Sequence, residues 1–157
     1  MTRFYLDTSA LFKRYHEEAG SEFVNELFDY QIQRKERMCA SILAGAEFCS
    51  AIRRHQRNGG ISSTTVDAII SAFLEESEYA LITFPVEKHI ISQSIHLLSH
   101  YSLKAYDAVQ LATYLEAKDY SVNTDDYYFV CDDERLCEAA EKEHIKVLRP
   151  RFSKIPR

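Results

Sequence analysis

The sequence has few of the residues that build linkers, and it has no long apolar run. Its 157 residues include only four glycines and three prolines, which leaves little room for a flexible segment between domains. No stretch approaches the roughly 20 apolar residues that a membrane-spanning helix needs. The first residues lack the uninterrupted apolar stretch of a secretory signal. With 46% apolar and 27% charged residues, the sequence predicts one globular, cytoplasmic domain.

The four cysteines contain no CxxC pair, so the sequence does not indicate a zinc knuckle. We expect reduced, mostly buried thiols, and the alternative is two disulfides in an exported protein. The residues concerned are Cys39, Cys49, Cys131 and Cys137.

The chain also has no excess of basic residues, because it contains 19 Lys and Arg and 24 Asp and Glu, for a net charge of −5. Domains that coat nucleic acid without specificity are usually basic, so the balance argues against that class. The argument does not hold if the acidic residues are concentrated in one metal site.

Short apolar segments alternate with amphipathic segments along the chain. This pattern predicts an α/β domain, with a central, mostly parallel sheet covered by helices on both faces. We expect one domain over residues 1–150 and a basic tail over 151–157, lying on the surface or frayed. The predicted strands are 4–6, 38–40, 79–84, 127–131 and 145–148, and the predicted helices are 10–18 (capped by Thr8 or Ser9), 21–32, 42–57, one capped by Ser62 or Ser63, 87–100, 104–117 and 133–143.

Acidic residues directly follow two of these strands. Asp7 follows the first strand, and Asp132 and Asp133 follow the fourth. Because ligands of parallel sheets bind at the carboxyl ends of the strands, these side chains are expected at one edge. Asp125 and Asp126 precede the fourth strand, so we expect them at the opposite edge, in solvent.

Two further acids lie among small and apolar residues. Glu47 and Asp107 each cost free energy in such surroundings unless they are paired or bind a metal. Each also has an ordinary explanation, since Asp107 suits the first turn of a helix and Glu47 could pair with Arg53 or Arg54. Asp7 could likewise be only a helix cap.

Clustered carboxylates without His or Cys favour Mg²⁺ or Mn²⁺ over zinc. Without Asp7, Glu47, Asp107 and Asp133, the net charge of −5 would be −1, so the remaining surface is almost neutral. Arg54 lies two helical turns after Glu47 and could hold a phosphate beside the metal, although a solvated helix face explains it too.

Four segments, in order, resemble the motifs of the PIN domain family, and more narrowly of its VapC-type ribonuclease toxins. They are residues 5–11 (YLDTSAL), 41–47 (SILAGAE), 103–112 (LKAYDAVQLA) and 129–136 (FVCDDERL). The resemblance implies an α/β/α sandwich, a metal-dependent endoribonuclease, a homodimer and inhibition by a small antitoxin protein. It places the four acids at Asp7, Glu47, Asp107 and Asp133.

The sequence departs from the family pattern in two places. Cys131 and Asp132 stand where the family often has a small hydroxyl residue and alanine, so either Asp132 or Asp133 is the fourth acid. The segment 119–128 is also longer than usual.

The hypothesis for the mechanism is metal-assisted hydrolysis of RNA that leaves 5′-phosphate and 3′-hydroxyl ends. Asp7 and Asp107 are the expected direct ligands, and Glu47 and Asp133 act directly or through water. We expect these ligand side chains to be oriented by neighbours that do not bind the metal themselves, namely Thr8, Ser9 and Asp132.

Other functions remain open at this point. A phosphatase of the haloacid dehalogenase type needs a second Asp where Ser9 stands, and a receiver domain needs a late Lys where the chain has Pro150. A PIN-like binding module without activity and a DNA nuclease of the same fold are the stronger alternatives. A helix with His89, His96 and His100 could hold zinc, or form a surface or subunit contact.

The expected antitoxin inserts an Arg or Lys among Asp7, Asp107 and Asp133, and lays an apolar helix in a groove. The first two helices carry more apolar residues than one helix face needs, and core packing explains most of them. The remainder could serve the antitoxin or the homodimer. These residues are Phe12, Tyr15, Phe23, Leu27 and Phe28.

Overall fold

The computed structural model describes residues 2–121 and 126–156. Within them, five strands form one sheet in the order β3-β2-β1-β4-β5, and every neighbouring pair is parallel. The predicted parallel sheet is confirmed. The strands are β1 (Arg3–Leu6), β2 (Met38–Ser41), β3 (Leu81–Phe84), β4 (Tyr127–Val130) and β5 (Lys146–Leu148).

Helices cover both faces of this sheet. Tyr5 of β1 faces a core built with residues of α5, α6 and α7, whereas Phe4 and Leu6 face a core built with α1 and α2. This alternation along one strand gives the three-layer α/β/α sandwich that the sequence predicted. The helices are α1 (Thr8–Tyr15), α2 (Ser21–Gln33), α3 (Ala44–Arg57), α4 (Ser63–Ala80), α5 (Lys88–His100), α6 (Ala105–Asp119) and α7 (Glu134–Lys142).

A third, smaller core joins α3 and α4. Phe48, Ile52 and Phe73 are buried in it, and Phe12 and Tyr15 of α1 pack against its rim. The rings of Phe48 and Phe73 stack with their centroids 4.2 Å apart. This contact fixes the position of α3, and therefore of Glu47 at its beginning.

The start of α1 differs from the prediction. Asp7, and not Thr8 or Ser9, is the N-cap, because its carboxylate accepts a hydrogen bond from the Ser9 backbone N–H at 2.9 Å. The helix ends at Tyr15 rather than at residue 18, since His16 adopts an extended conformation. The same acid that follows β1 therefore begins the helix.

The strand predicted over 79–84 begins late, because α4 continues to Ala80 and β3 follows it without a loop.

The C-terminal tail lies on the surface, as expected, but it is anchored rather than frayed. Arg151 pairs with Asp132 at 2.9 Å, and Ile155 packs against the core beside α2.

The remaining expectations concern single residues. All four cysteines are free thiols, and three of them are buried. Asp126 lies at the opposite edge of the sheet, where it pairs with Lys146 at 2.9 Å, whereas Asp125 lies outside the described residues. In the part of the chain that the structure describes, no helix is long and apolar enough to cross a membrane.

Candidate active site

A cleft of about 440 Å³ opens at the carboxyl ends of β1 and β4. Its volume lies in the range of ligand-binding pockets. Every acid and hydroxyl residue that the sequence predicts for the site lines it, and so does Arg54. The lining residues are Asp7, Thr8, Ser9, Phe12, Glu18, Glu47, Ala51, Arg54, His55, Lys104, Tyr106, Asp107, Asp132 and Asp133.

Asp7 is the most buried of these acids, with 5% of its surface exposed. The Ser9 hydroxyl donates to its Oδ2 at 2.6 Å, and Ser9 in turn accepts the Asp132 backbone N–H at 2.9 Å. Burial raises the pKa of Asp7 from 3.8 to about 6, against the lowering effect of the Ser9 hydrogen bonds, and the charge of Glu47 raises it further.

Asp107 is the third residue of α6 and faces the same cleft. Burial raises its pKa from 3.8 to about 6, followed by the negative charges of Asp7 and Asp133. The charge and backbone N–H of Lys104 lower it by less. Three carboxylates therefore act on one another across the cleft, and their repulsion would be relieved by a cation.

Glu47 reaches the cleft from the first turn of α3. The Thr8 hydroxyl donates to its Oε2 at 2.7 Å, and the Gln110 amide donates to the same oxygen. Pairing of Glu47 with Arg53 is excluded, because Arg53 pairs with Asp67 at 2.7 Å on the protein surface. Arg54 makes no ion pair with any described residue, so its charge is available to the cleft.

Gln110 contacts the site residues Thr8 and Glu47, and the sequence analysis missed it. It is almost fully buried, accepts a hydrogen bond from the Tyr5 hydroxyl at 3.0 Å and donates to the Thr8 hydroxyl at 3.1 Å. Its signal was a polar residue in an otherwise apolar helix segment. Such a residue needs hydrogen-bond partners when buried, and here the partners belong to the site.

Asp132 and Asp133 differ in their partners. Asp132 lies between Lys13 and Arg151, each with a nitrogen 2.9 Å from a carboxylate oxygen. The Asp133 carboxylate instead accepts the Leu136 backbone N–H at 3.0 Å and caps α7. Two cations thus neutralise Asp132, while Asp133 acts electrostatically on Asp107.

The donor set fits a hard divalent cation, because the cleft offers carboxylate and hydroxyl oxygens and no thiolate. Among the described residues, no three Asp, Glu, His or Cys side chains converge closely enough to form a complete cage. Asp7 and Asp107, the two carboxyls with a raised pKa, are the acids whose charge a bound cation would relieve most.

The histidines of α5 do not form a zinc site in the described part of the chain. His89 pairs with Glu116 at 3.1 Å, and the His96 and His100 rings lie 4.4 Å apart on an exposed helix face. The zinc interpretation of this helix is therefore wrong.

The parallel sheet with helices on both faces and an acidic cleft at the carboxyl ends of its strands defines an α/β/α domain with a candidate site at the sheet edge. Residues 4–142 match the family model described as PIN domain, and the chain belongs to this family. No curated protein matches the sequence.

A solved structure shares the fold. The chain is similar to one in the crystal structure of VapBC2 from Rickettsia felis bound to a DNA fragment from their promoter. The TM-score is 0.65 at 7% sequence identity, and the match covers 94% of this chain and 98% of that one. At this identity the likeness shows the fold.

Proposed function

We propose that the protein is a metal-dependent endoribonuclease and the toxin of a toxin–antitoxin pair. The observation that carries the proposal is the pair of carboxyls with a raised pKa, Asp7 and Asp107, in one cleft with Glu47 and Asp133. Carboxyls with a strongly raised pKa are common at functional sites. The membership in the PIN domain family, whose members are generally nucleases, supports the same conclusion.

Asp7 and Asp107 would hold Mg²⁺ or Mn²⁺, with Glu47 and Asp133 completing the pocket directly or through water. An ion held there would supply a nucleophile at neutral pH and would stabilise the charge on the leaving oxygen. Ser9 keeps the Asp7 carboxylate in place, and Thr8 and Gln110 do the same for Glu47. Asp133 is the fourth acid in this proposal, since Asp132 is already neutralised.

Positive charge on the wall of the cleft would bind the RNA backbone. Arg54 and Lys104 line the cleft beside the acids, from α3 and from the N-cap of α6. Neither forms an ion pair within residues 2–121 and 126–156. They are therefore the candidates for contacts with the phosphates on either side of the bond that is cleaved.

Partners are part of the proposal. Because the structural neighbour is a VapBC2 complex, we propose a small antitoxin, which would place a basic side chain near Asp7, Asp107 and Asp133. We also propose a cytoplasmic homodimer. Light scattering of the isolated chain at tens of micromolar tests the dimer, and a monomer would contradict it. Co-purification with the product of the adjacent gene tests the antitoxin.

The enzymatic test uses one 5′-labelled sequence as single-stranded RNA and as DNA, with Mg²⁺. We expect cleavage of RNA with 5′-phosphate and 3′-hydroxyl ends, and loss of at least 100-fold in Asp7→Asn and Asp107→Asn. Asp126→Asn is the matched control, because it removes a carboxylate at the other edge of the sheet.

Full activity in either cleft variant, or in excess EDTA, would contradict the metal mechanism. Cleavage of the DNA alone would make the protein a DNA nuclease. Inducible expression in a bacterium tests the toxin, with growth arrest and discrete new 5′ ends expected for the wild type and neither for Asp107→Asn.

A further inference from the structure

Three aromatic rings form a continuous group beside the acidic cleft. Phe12 of α1 and His55 of α3 line the cleft, with ring centroids 5.3 Å apart. His16, at the end of α1, lies 5.1 Å from Phe12 and 4.7 Å from His55. All three side chains are only partly buried. We call Phe12, His16 and His55 the aromatic wall.

Core packing accounts for part of the aromatic wall, since the Phe12 ring centroid lies 6.2 Å from that of the buried Phe48, but it does not account for the two imidazoles. The interface between α3 and α4 is filled by Phe48 and Phe73, both buried, and the wall lies on its outer rim. Two of the three rings are imidazoles, and neither makes a hydrogen bond or ion pair with any residue that the structure describes. Their polar atoms and part of their ring surface are therefore available to a ligand.

The wall continues the same helix faces that carry the acids. Phe12 follows Thr8 by one turn of α1, and His55 follows Glu47 by two turns of α3. At 1.5 Å per residue, the rings lie about 6 Å and 12 Å along the helices from the hydrogen-bonded pair Thr8–Glu47. Arg54 lines the cleft beside His55. Acids, a guanidinium and stacking surfaces thus follow one another along one path.

A single-stranded nucleic acid presents these complementary groups, since each nucleotide carries a phosphate and an unpaired base. We propose that the aromatic wall stacks against a nucleobase next to the cleaved phosphodiester, while Arg54 binds a neighbouring phosphate. The inference rests on the proposed function and extends it. Because stacking tolerates every base but requires an unstacked one, the wall selects single-stranded RNA over duplex.

The test measures binding apart from cleavage. The parent protein is Asp107→Asn in Mg²⁺, which keeps the RNA intact. The probes are a fluorescein-labelled single-stranded RNA of ten nucleotides and an oligomer of abasic ribose phosphates of equal length, followed by fluorescence anisotropy. Adding Phe12→Leu is expected to weaken binding of the RNA about tenfold and to leave binding of the abasic oligomer unchanged.

Two further variants separate stacking from charge and from packing. His55→Asn should repeat the base-dependent loss, whereas Arg54→Gln should weaken binding of both probes to a similar extent. Phe23→Leu is the matched control, because it makes the same substitution in α2, none of whose residues lines the cleft. It should bind both probes as the parent does.

Equal loss of both probes in Phe12→Leu would overturn the inference, and so would an unchanged affinity for RNA. A parent that does not prefer RNA over the abasic oligomer would overturn it as well. Failure of the proposed function is a separate result. Base-dependent binding without any cleavage by the unsubstituted chain refutes the nuclease and leaves the stacking site, whereas cleavage without base-dependent binding refutes only the stacking site.

Discussion

The Thr8 hydroxyl donates a hydrogen bond of 2.7 Å to Glu47, which joins the first turn of α1 to the first turn of α3. The Gln110 amide reaches both residues from α6. Three helices that are far apart in the sequence therefore meet in one polar network beneath the acidic cleft. The network holds Glu47 in one orientation, and the contribution of its hydrogen bonds to stability can be measured.

Replacing Gln110 by Met should lower the free energy of unfolding by about 1–3 kcal/mol, because the buried Tyr5 hydroxyl loses its acceptor. Tyr5→Phe removes the other half of the same hydrogen bond. Urea unfolding of both single variants and of the double variant measures their coupling. The double variant should cost less than the sum of the two, and strict additivity would show that Tyr5 and Gln110 are energetically independent.

The pKa of Asp107 predicts how pH affects the metal-free protein. Its folded pKa of about 6 exceeds the ordinary 3.8, so the charged carboxylate opposes folding above pH 6. This cost decreases as the pH falls through 6 and is gone below about 4. In EDTA at pH 7.5, Asp107→Asn should therefore be more stable than the wild type, by about 1 kcal/mol after allowance for solvent screening.

Urea unfolding at pH 7.5 and at pH 5 checks this prediction. The advantage of the variant over the wild type should shrink at the lower pH, because the wild-type carboxyl then takes up its proton. A variant that is less stable than the wild type at pH 7.5 would contradict the mutual repulsion of the acids.

Mg²⁺ should raise the melting temperature of the wild type, since an ion that binds only the folded state stabilises it. At an ion concentration of 100 times Kd, the gain is about 2.7 kcal/mol. Asp7→Asn should abolish the shift in a thermal melt, whereas Asp126→Asn, altered at the opposite edge, should retain it. Equal shifts in all three proteins would indicate an effect of ionic strength.

A partly buried ion pair whose residues do not line the cleft tests the scaffold. Glu76 accepts two hydrogen bonds from Arg14, at 2.7 and 3.1 Å, and one from Tyr15 at 2.6 Å. Burial by itself would raise the pKa of Glu76, but these hydrogen bonds and the charge of Arg14 outweigh it, and the pKa is lowered. The pair therefore stabilises the fold above pH 4.5 and loses its contribution as the pH falls through the folded pKa.

Glu76→Gln should cost about 2 kcal/mol at pH 7, and less at pH 4, in urea unfolding. Asp67→Asn breaks the exposed pair with Arg53 and should cost at most about 1 kcal/mol at either pH. Cleavage of RNA at 25 °C should be unchanged in both variants. A cost for Glu76→Gln that grows at low pH would contradict the assigned direction of the shift.

The sequence predicted the sheet edge at which Asp7 and Asp133 meet, because the order of strands and helices leaves only one edge for residues that follow parallel strands. It also brought Glu47 and Asp107 to attention as acids in apolar surroundings. It could not show that Lys13 and Arg151 pair with Asp132, since the first contact depends on how α1 packs and the second on how the C-terminal tail folds back. The predicted start of β3 was also wrong. The strand begins where α4 ends, and the end of α4 is set by its packing and not by local propensity.

Four helix N-termini lie at the cleft, since Asp7 caps α1, Asp133 caps α7, and Glu47 and Asp107 occupy the first turns of α3 and α6. Each N-terminus carries a partial positive charge that is fixed in the backbone. Immobile backbone dipoles therefore act on these like-charged side chains together with the nearby charge of Lys104. The pocket is consequently preorganised, and we expect a divalent cation to enter and leave it repeatedly without rearrangement of the chain.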